Sequence, residues 1–365
     1  MPERWLLSQL LDHQMIRRRA LLAALGMPPL AGARAMAQMA HSSPSPAPDY
    51  TIIAGGPPGG RIDRWSRVFS TALHPFLGGR STVRVAPTGG LDGVTAANRL
   101  QALVVPDGMT AALLPGEAAI AFLTGDPRAH FLPGDWIPVV AGLGSLLLVV
   151  RGGTARLSSS TPLRFAAASL ESPDLAGLLG LAKLGVPVAP IFGLNDPAAV
   201  ATAFAQGEAD AALFSGEDVA ADAAPLSAEG GVVICTLVGS VSGRKTARDS
   251  GFMDVPTLDE LATQRSARPL PRPLDAAYRS VVAASRIDFM MVLPRLSSPA
   301  AIALWRSAGA RSIVNPAVED AASASAVRLV AGADAVTNLA PLTVGSDAVL
   351  ALHAFLAREY GWRRS

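Results

Sequence analysis

The sequence contains one cysteine and two lysines, and these shortages exclude some kinds of structure and function. A single cysteine among 365 residues, Cys235, cannot form an internal disulfide, and its apolar neighbours indicate a small buried side chain. Lysine occurs twice, and the first 37 residues contain five of the 31 basic side chains and two of the 29 acidic ones. The rest of the chain is therefore close to neutral, which excludes the basic stripe that a nucleic-acid backbone requires.

Long apolar runs are also missing, although the mean hydropathy of +0.34 is high and 16% of the residues are charged. Beyond the N-terminus, no uninterrupted run reaches the roughly 18 residues of a membrane-spanning helix. The longest candidate, 136–150, contains Pro138, Gly142 and Gly144, so it predicts a buried strand and a turn. This pattern excludes a polytopic membrane transporter.

The N-terminal segment has the order of an export signal. Three arginines at Arg17 to Arg19 precede an apolar stretch over 20–33, and the small residues of Ala35 to Ala37 follow. We therefore predict a signal peptide over 1–37, a linker over 38–49 and a periplasmic location for the mature protein.

The route of export and the true first residue stay open. The arginine run fits both a general secretory signal and a twin-arginine signal. A tidy basic region begins at Met15, so either Met1 or Met15 is a possible start. With either start, cleavage is predicted before Gln38.

Beyond the linker, short apolar runs rich in β-branched residues alternate with helical stretches, which is typical of α/β proteins. The first strand is predicted at 51–54, a helix at 62–77, a second strand at 82–86 and a second helix at 91–103. Further strands are predicted at 110–114, 139–150, 164–168, 188–192, 211–214, 232–237 and 289–293. About 316 residues follow the linker, more than one ordinary domain, and this length predicts two lobes.

Two glycine loops occupy the same position, each between a strand and a helix. The first, at 55–63, reads Gly-Gly-Pro-Pro-Gly-Gly-Arg-Ile-Asp, and the second, at 87–90, reads Pro-Thr-Gly-Gly. Glycines let backbone N–H groups approach a ligand, and a helix N-terminus adds partial positive charge. One such loop is more often a structural turn, but two at adjacent strand ends predict an anion-binding cleft.

The motifs of common enzyme classes are absent or imperfect. The segment 239–246 nearly fits a phosphate loop, but Arg244 stands where the second glycine is required. The sequence contains no Gly-x-Ser-x-Gly elbow, and its five histidines show no metal-binding spacing. We therefore predict no catalysis, no metal and no cofactor, with an enzyme of the same two-lobed form as the alternative.

Several motifs follow one another in the order of a known family. Pro57 to Asp63 match a Pro-Pro-Gly-Gly-x-x-Asp loop, and 87–90 followed by 106–110 is similar to Pro-Gly-Ala-Gly-Gly and then Pro-Asp-Gly-Tyr-Thr. Weaker likenesses lie at 135–139, 207–210 and 255–260. From about 50 to 362, the chain resembles the tripartite tricarboxylate transporter substrate-binding proteins, also called Bug-type periplasmic solute receptors.

The resemblance implies an α/β fold of the type II periplasmic binding-protein class, in which two lobes close on a ligand. It implies two crossings between the lobes, near 150–154 and within 255–290. Lobe 1 would then comprise 50–152 and 286–365, and lobe 2 would comprise 153–285. The implied ligand is a small organic acid or an amino-acid-like solute, and the implied partner is the membrane permease of such a transporter.

The resemblance also implies where the ligand binds. In the family, backbone amides of the two glycine loops hold the ligand carboxylate, together with bridging waters. Carried onto this sequence, the candidate ligand-binding residues are Pro58, Gly59, Gly60, Arg61, Asp63, Thr88, Gly89, Gly90, Gly116, Ser169, Glu171, Asn195 and Asp210.

Two charges depart from the family pattern. Arg61 stands where relatives usually have a small residue, and Glu171 stands within 169–173, where they usually have a Ser-x-Gly-x-Gly-Ser loop. The segment 192–195 likewise replaces a common Tyr-Lys-Gly stretch, and each change is equally well read as drift on a solvated rim. If both charges face the cleft, each must be neutralised.

Two arrangements would neutralise the pair. A ligand could carry an anionic group for Arg61 and a cationic or donor group for Glu171. A direct bridge between Arg61 and Glu171 would instead fill the cleft, and the chain would be an adaptor or sensor that binds no free solute.

Overall fold

A computed structural model describes residues 49–78, 81–238 and 247–363. The predicted signal peptide over 1–37, nearly all of the linker and the imperfect phosphate loop at 239–246 lie outside the described residues. The strands, in chain order, are β1 Tyr50–Ala54, β2 Val83–Pro87, β3 Thr110–Leu114, β4 Ile137–Leu143, β5 Leu146–Arg151, β6 Leu163–Ala166, β7 Val188–Ile191, β8 Ala211–Ser215, β9 Gly231–Thr236, β10 Ile287–Leu293 and β11 Arg328–Ala331.

The helices alternate with these strands along most of the chain, as predicted. They are α1 Arg61–Leu73, α2 Val94–Leu103, α3 Glu117–Thr124, α4 Leu175–Lys183, α5 Pro197–Ala205, α6 Val219–Ala228, α7 Leu258–Gln264, α8 Arg272–Arg286, α9 Pro299–Ser312, α10 Pro316–Ala324, α11 Gly332–Leu339 and α12 Ser346–Tyr360. The α/β class expected from the sequence is confirmed.

The first sheet has the order β2-β1-β3-β10-β4-β11. β1 pairs in parallel with β2 and β3, so that Ile52 lies opposite Val85 and Ala111, and β10 runs antiparallel between β3 and β4. Ile52, Ile53 and Ala54 are all buried, which is the continuous apolar pattern of a strand covered on both faces. The carboxyl ends of β1, β2 and β3 therefore lie at one edge of this sheet.

The second sheet has the order β7-β6-β8-β5-β9. β6 pairs in parallel with β7 and β8, and β5 runs antiparallel to β8 and β9. Its core includes Phe165 and Leu178, both fully buried, with helix α4 packed on one face. Two sheets, each covered by helices, give the two-lobed architecture that the sequence predicted.

The first crossing between the sheets lies earlier than predicted. The prediction placed it near 150–154 and treated 139–150 as one strand, but β4 belongs to the first sheet and β5 to the second. The chain crosses at Gly144 and Ser145, which interrupt the apolar run. The backbone N–H of Gly144 donates to the carbonyl of Arg286 at 2.7 Å, so the two crossing segments lie side by side.

The first helix begins one residue before the prediction and ends earlier. Its buried side chains include Ile62, Trp65, Phe69 and Leu73, the 3.6-residue spacing on which the prediction rested. A short 3-10 helix with proline at its second residue follows at His74–Phe76, because proline cannot continue the α-helical hydrogen bonding.

The C-terminal helix α12 contacts both lobes. Leu352 and Phe355 belong to the same buried cluster as Leu178 of the second lobe and Val281 of α8. The ring of His353 instead lies 3.0 Å from the carbonyl of Leu123 at the end of α3. The assignment of 286–365 to lobe 1 alone is therefore too simple, because α12 completes the core of the second lobe.

A search for membrane-spanning helices within the described ranges found no single helix with the required length and hydropathy. The pair Gly332–Leu342 and Ser346–Tyr360 passes only when taken together, with a bend of 53° between its members.

Candidate ligand-binding cleft

A cavity of about 330 Å³ lies between the facing edges of the two sheets. The first lobe contributes Arg61, Glu117 and Asp288, and the crossing segment contributes 285–287. The second lobe contributes Pro173, Pro197, Ser215, Gly216, Glu217 and Asp222. In sheets of this kind, ligands bind outside the carboxyl ends of the parallel strands, and the loops after β1, β3, β6 and β8 lie at this edge.

Two larger cavities lie elsewhere. One of about 570 Å³ lies behind the second lobe, between α4, the start of α8 and the end of α12. Another of about 820 Å³ lies beside the crossing segments, against α10 and the start of β11. The smaller cavity is the better candidate because the N-termini of α1, α3 and α6 all start beside it.

Arg61, the first residue of α1, is neutralised within its own lobe. Its guanidinium forms an ion pair with the Asp288 carboxylate, donates to the Asp288 carbonyl at 2.7 Å and lies 3.3 Å from Glu117 Oε1. The sequence offered a ligand or Glu171 as the partner of Arg61, and the bridge to Glu171 is not formed. The start of β10 instead brings Asp288 beneath the guanidinium, and Glu171 is exposed.

Burial and neighbouring charges act in opposite directions on the pKa values of Arg61, Asp288 and Glu117. Burial lowers the pKa of Arg61, but the carboxylates of Asp288 and Glu117 outweigh it and raise that pKa above its ordinary value. Burial raises the pKa of Asp288, against the opposing effect of Arg61, and raises the pKa of Glu117 in the same way. The guanidinium of Arg61 therefore offsets part of the cost of burying the two carboxylates.

The first glycine loop is closed by its own hydrogen bonds. The N–H of Gly59 donates to Asp63 Oδ2 at 2.7 Å, and the N–H of Gly60 donates to the carbonyl of Pro57 at 3.0 Å. Pro58 is exposed at the tip of this loop. Asp63 is buried and also accepts from Arg67, so it shapes the loop rather than lining the cavity.

The free donors of this loop are at the next three residues. No hydrogen bond from the backbone N–H of Arg61, Ile62 or Asp63 occurs among the described residues. These groups form the first turn of α1, where N–H groups have no partner inside the helix. The donors available to an anion are therefore displaced from Gly59 and Gly60 to the helix start.

The second glycine loop is partly closed as well. The backbone N–H of Thr88 and its hydroxyl both donate to the carbonyl of Ala54, and the N–H of Gly89 donates to Gly56 at 3.2 Å. Both Gly89 and Gly90 have φ of 73°, a left-handed conformation that favours glycine. Of the four loop glycines predicted to bind, Gly90 alone keeps an N–H with no partner within the part of the chain that the structure describes.

Gly116 lies at a close backbone contact. Its N–H donates to the carbonyl of Ile287 at 3.2 Å, and a β-carbon added there would lie 1.9 Å from the carbonyl oxygen of Ala284. The residue that faces the cavity is its neighbour Glu117. The predicted residue Gly116 therefore does not line the cavity, whereas the next residue does.

The second-lobe loop after β6 presents little to the cavity. Ser169 and Glu171 are exposed, and the N–H of Glu171 donates to the Ser169 hydroxyl at 3.1 Å. Asp174, the N-cap of α4, accepts from the N–H of Ala168 at 2.8 Å and from the Ser172 hydroxyl at 2.9 Å. This loop is held by its own side chains instead of by a glycine nest.

Burial raises the pKa of Asp174 to about 6, against the two hydrogen bonds that it accepts. A folded-state pKa above the ordinary 3.8 costs stability above the folded value and nothing below the ordinary one. Asp174→Asn is therefore expected to raise the free energy of unfolding at neutral pH, on the order of 1 to 3 kcal/mol, and to lose this gain in acid. Urea unfolding of the variant and the unmodified protein, at neutral pH and in acid, measures the difference in the free energy of unfolding. The control Glu171→Gln, in the same loop, should change neither value, and a less stable Asn variant at neutral pH would refute the argument.

The other two predicted residues lie away from the cavity. Asn195 is exposed in the loop after β7. Asp210 precedes β8, at the end of the sheet opposite the cavity, where Arg164 binds it at 2.7 Å. Arg164 is the main cause that lowers the pKa of Asp210. The Gly-Glu-Ala-Asp segment is therefore a structural turn in this protein.

Glu217 links the two lobes across the cavity. Its Oε2 lies 3.6 Å from Arg64 Nη2 of α1, and its Oε1 accepts from the hydroxyl of Ser325 at 3.2 Å. The hydroxyl of Ser285 adds a bond to the carbonyl of Pro173 at 3.2 Å. These contacts hold the second lobe against the first.

Sequence reasoning missed four carboxylates at the cavity. Glu117 follows a Pro-Gly turn in the same strand-to-helix position as the two glycine loops, a signal that was available. Asp288 was missed because the predicted strand began at residue 289. Glu217 and Asp222 lie in an acidic, alanine-rich stretch that carries no motif. Among the described residues, no group of three or more His, Cys, Asp or Glu side chains could hold a metal ion.

No protein-family model matches the chain, and no curated protein matches it closely enough to count as a relative. Solved structures do match. A TctC solute-binding protein from Polaromonas, determined without ligand, has 20% identity and a TM-score of 0.61, over 84% of this chain and 99% of that one. The R. palustris protein Rpa4515 with adipate has 15% identity and a TM-score of 0.53, over 87% and 98%.

The periplasmic binding protein BugD also matches, with 14% identity and a TM-score of 0.51, over 86% of this chain and 98% of that one. These matches confirm the resemblance that the sequence motifs indicated. At this level of identity they establish a shared two-lobed fold.

Proposed function

We propose that this chain is an exported solute receptor that captures a small organic carboxylate between its two lobes and presents it to the permease of a tripartite tricarboxylate-type transporter. The observation that carries the proposal is the cavity at the carboxyl ends of the parallel strands, to which both lobes and the crossing segment contribute. The predicted signal peptide supports a periplasmic location. The structural neighbours support the receptor class, since their descriptions name solute-binding and periplasmic binding proteins.

The crossing segments give the lobes a place to rotate. Gly144 and Arg286 lie side by side, with the guanidinium Nε of Arg286 donating back to the Gly144 carbonyl at 3.3 Å. Rotation at a few residues in loops or at the ends of secondary-structure elements is a usual way for such lobes to close on a solute. Glu217 would then alternate between its cross-lobe partners and water.

The start of α1 is the proposed seat of the ligand carboxylate. Three unpaired backbone N–H groups lie there, and the helix N-terminus adds partial positive charge. Arg61 lies beside them and has N–H groups beyond those used by Asp288 and Glu117.

A thermal-shift screen of the mature protein over small carboxylates at neutral pH tests the proposal. A solute that binds the folded state at a hundred times its dissociation constant should stabilise it by about 2.7 kcal/mol, because binding draws the equilibrium toward the native state. The bound solute should be recovered chemically unchanged. No stabilisation by any carboxylate would end the carboxylate proposal, and turnover of the solute would favour the enzyme alternative.

A further inference from the structure

The cavity between the lobes contains more acid than base. Four carboxylates line it, from Glu117, Glu217, Asp222 and Asp288, against the two guanidinium groups of Arg61 and Arg286. A site that has to hold an anion with several charges would normally show the opposite balance.

Both guanidinium groups are already neutralised by protein carboxylates. Arg286 Nη2 lies 3.5 Å from Asp249, which is buried and belongs to the loop before α7. Arg61 is shared between Asp288 and Glu117. Neither arginine has a positive charge left over for a second or third ligand carboxylate.

Asp288 is the buried member of this acidic set. Its side chain has 0% exposure, so its carboxylate lies beneath the cavity surface and out of contact with a solute. Burial raises the pKa of Asp288, against the smaller effect of hydrogen bonds from Arg61 and from the Trp65 side chain, which act to lower it. Its negative charge therefore offsets that of Arg61 inside the first lobe.

The charged residues that the second lobe contributes to the cavity lining, Glu217 and Asp222, are both acidic. Glu217 has one ion pair, to Arg64, whose side chain is 60% exposed. The carboxylate of Asp222 has neither a hydrogen bond nor an ion pair within the described ranges, and burial together with the charge of Asp218 raises its pKa. Closing this lobe over a plain dicarboxylate would bring like charges together.

We propose that the cleft selects a solute with more cationic groups than carboxylates, such as a basic amino acid. The solute carboxylate would lie at the start of α1, and its amine or guanidinium would lie between Glu217 and Asp222. This inference rests on the proposed receptor function and narrows its ligand class. Discrimination arises because the acidic groups attract the cation and repel a second carboxylate.

Titration calorimetry of the mature protein at neutral pH, with four probes, tests the inference. We expect free lysine or free arginine to bind at least about tenfold more tightly than adipate. Binding of cadaverine but of no carboxylate would support recognition of a cationic group and would refute the carboxylate part of the proposed function. Adipate binding as tightly as lysine and arginine would leave the receptor function standing and overturn the inference. Binding of none of the four would overturn the inference and, with a negative carboxylate screen, the receptor function also.

A pair of matched variants locates the effect. Asp222→Asn should weaken binding of the basic amino acid by about tenfold, since it removes one unpaired charge from the cavity. Asp218→Asn removes the same charge at the exposed N-cap of α6, outside the cavity lining, where solvent screens it, and should change affinity by less than about twofold. Equal effects of the two variants would reduce the role of Asp222 to long-range charge and refute the proposed contact.

Discussion

Arg61→Met is expected to lower the free energy of unfolding by about 3 to 5 kcal/mol at neutral pH, because it leaves Asp288 charged and buried without its partner. The Asp288 side chain has 0% exposure, and burial already raises its pKa in the presence of Arg61. Urea unfolding of the two proteins measures the difference. The loss should shrink as the pH falls toward the ordinary value of 3.8, since protonated Asp288 needs no counter-ion.

The control for this prediction is Arg64, which lies three residues after Arg61 on the same helix. Arg64 pairs with Glu217 at 3.6 Å, and its side chain is 60% exposed, so Arg64→Met should cost less than about 1 kcal/mol. Adding Asp288→Asn to Arg61→Met should recover most of the loss, because the buried charge is then gone. Equal losses for the two arginine variants would show that Arg61 is not a buried counter-ion.

Gly116→Ala is expected to destabilise the protein by about 3 kcal/mol or to prevent folding, because the added β-carbon meets fixed backbone. It would lie 1.9 Å from the carbonyl oxygen of Ala284 and 2.8 Å from that of Ile287. Both oxygens belong to the segment where α8 passes into β10, so the clash would also displace the crossing. Thermal unfolding and the yield of soluble protein measure the effect.

Gly89→Ala is the matched control for Gly116→Ala. Gly89 has a φ of 73°, so alanine there should cost about 1 kcal/mol through backbone strain, but no atom lies within 4 Å of the added carbon. A Gly116→Ala protein as stable as Gly89→Ala would contradict the close contact between α3 and the crossing segment.

Local patterns predicted most of the fold. The spacing of Ile62, Trp65, Phe69 and Leu73 identified α1, and the β-branched runs identified the inner strands. The division of the chain between lobes was less accessible, because 137–151 is one apolar stretch whose two strands enter different sheets. Periodicity reports that a strand is buried, and it carries no information about which sheet buries it.

The binding residues were harder to predict than the fold. Arg61 and Glu117, which follow the ends of parallel strands, line the cavity, but the glycines of the two predicted loops are not among its lining residues. Which donors remain free depends on hydrogen bonds such as Gly59 to Asp63, and the family pattern does not reveal them. The pairing of Arg61 with Asp288 joins positions 227 residues apart, so only the folded chain shows it.

A crystal structure of the mature protein with the solute that gives the largest thermal shift tests the central claim most directly. The account predicts the solute between the two sheets, with its carboxylate at the first turn of α1 and a cationic group within hydrogen-bond distance of Glu217 or Asp222. A solute bound in the cavity between α4 and α12, or on the surface with the cleft empty, would contradict it.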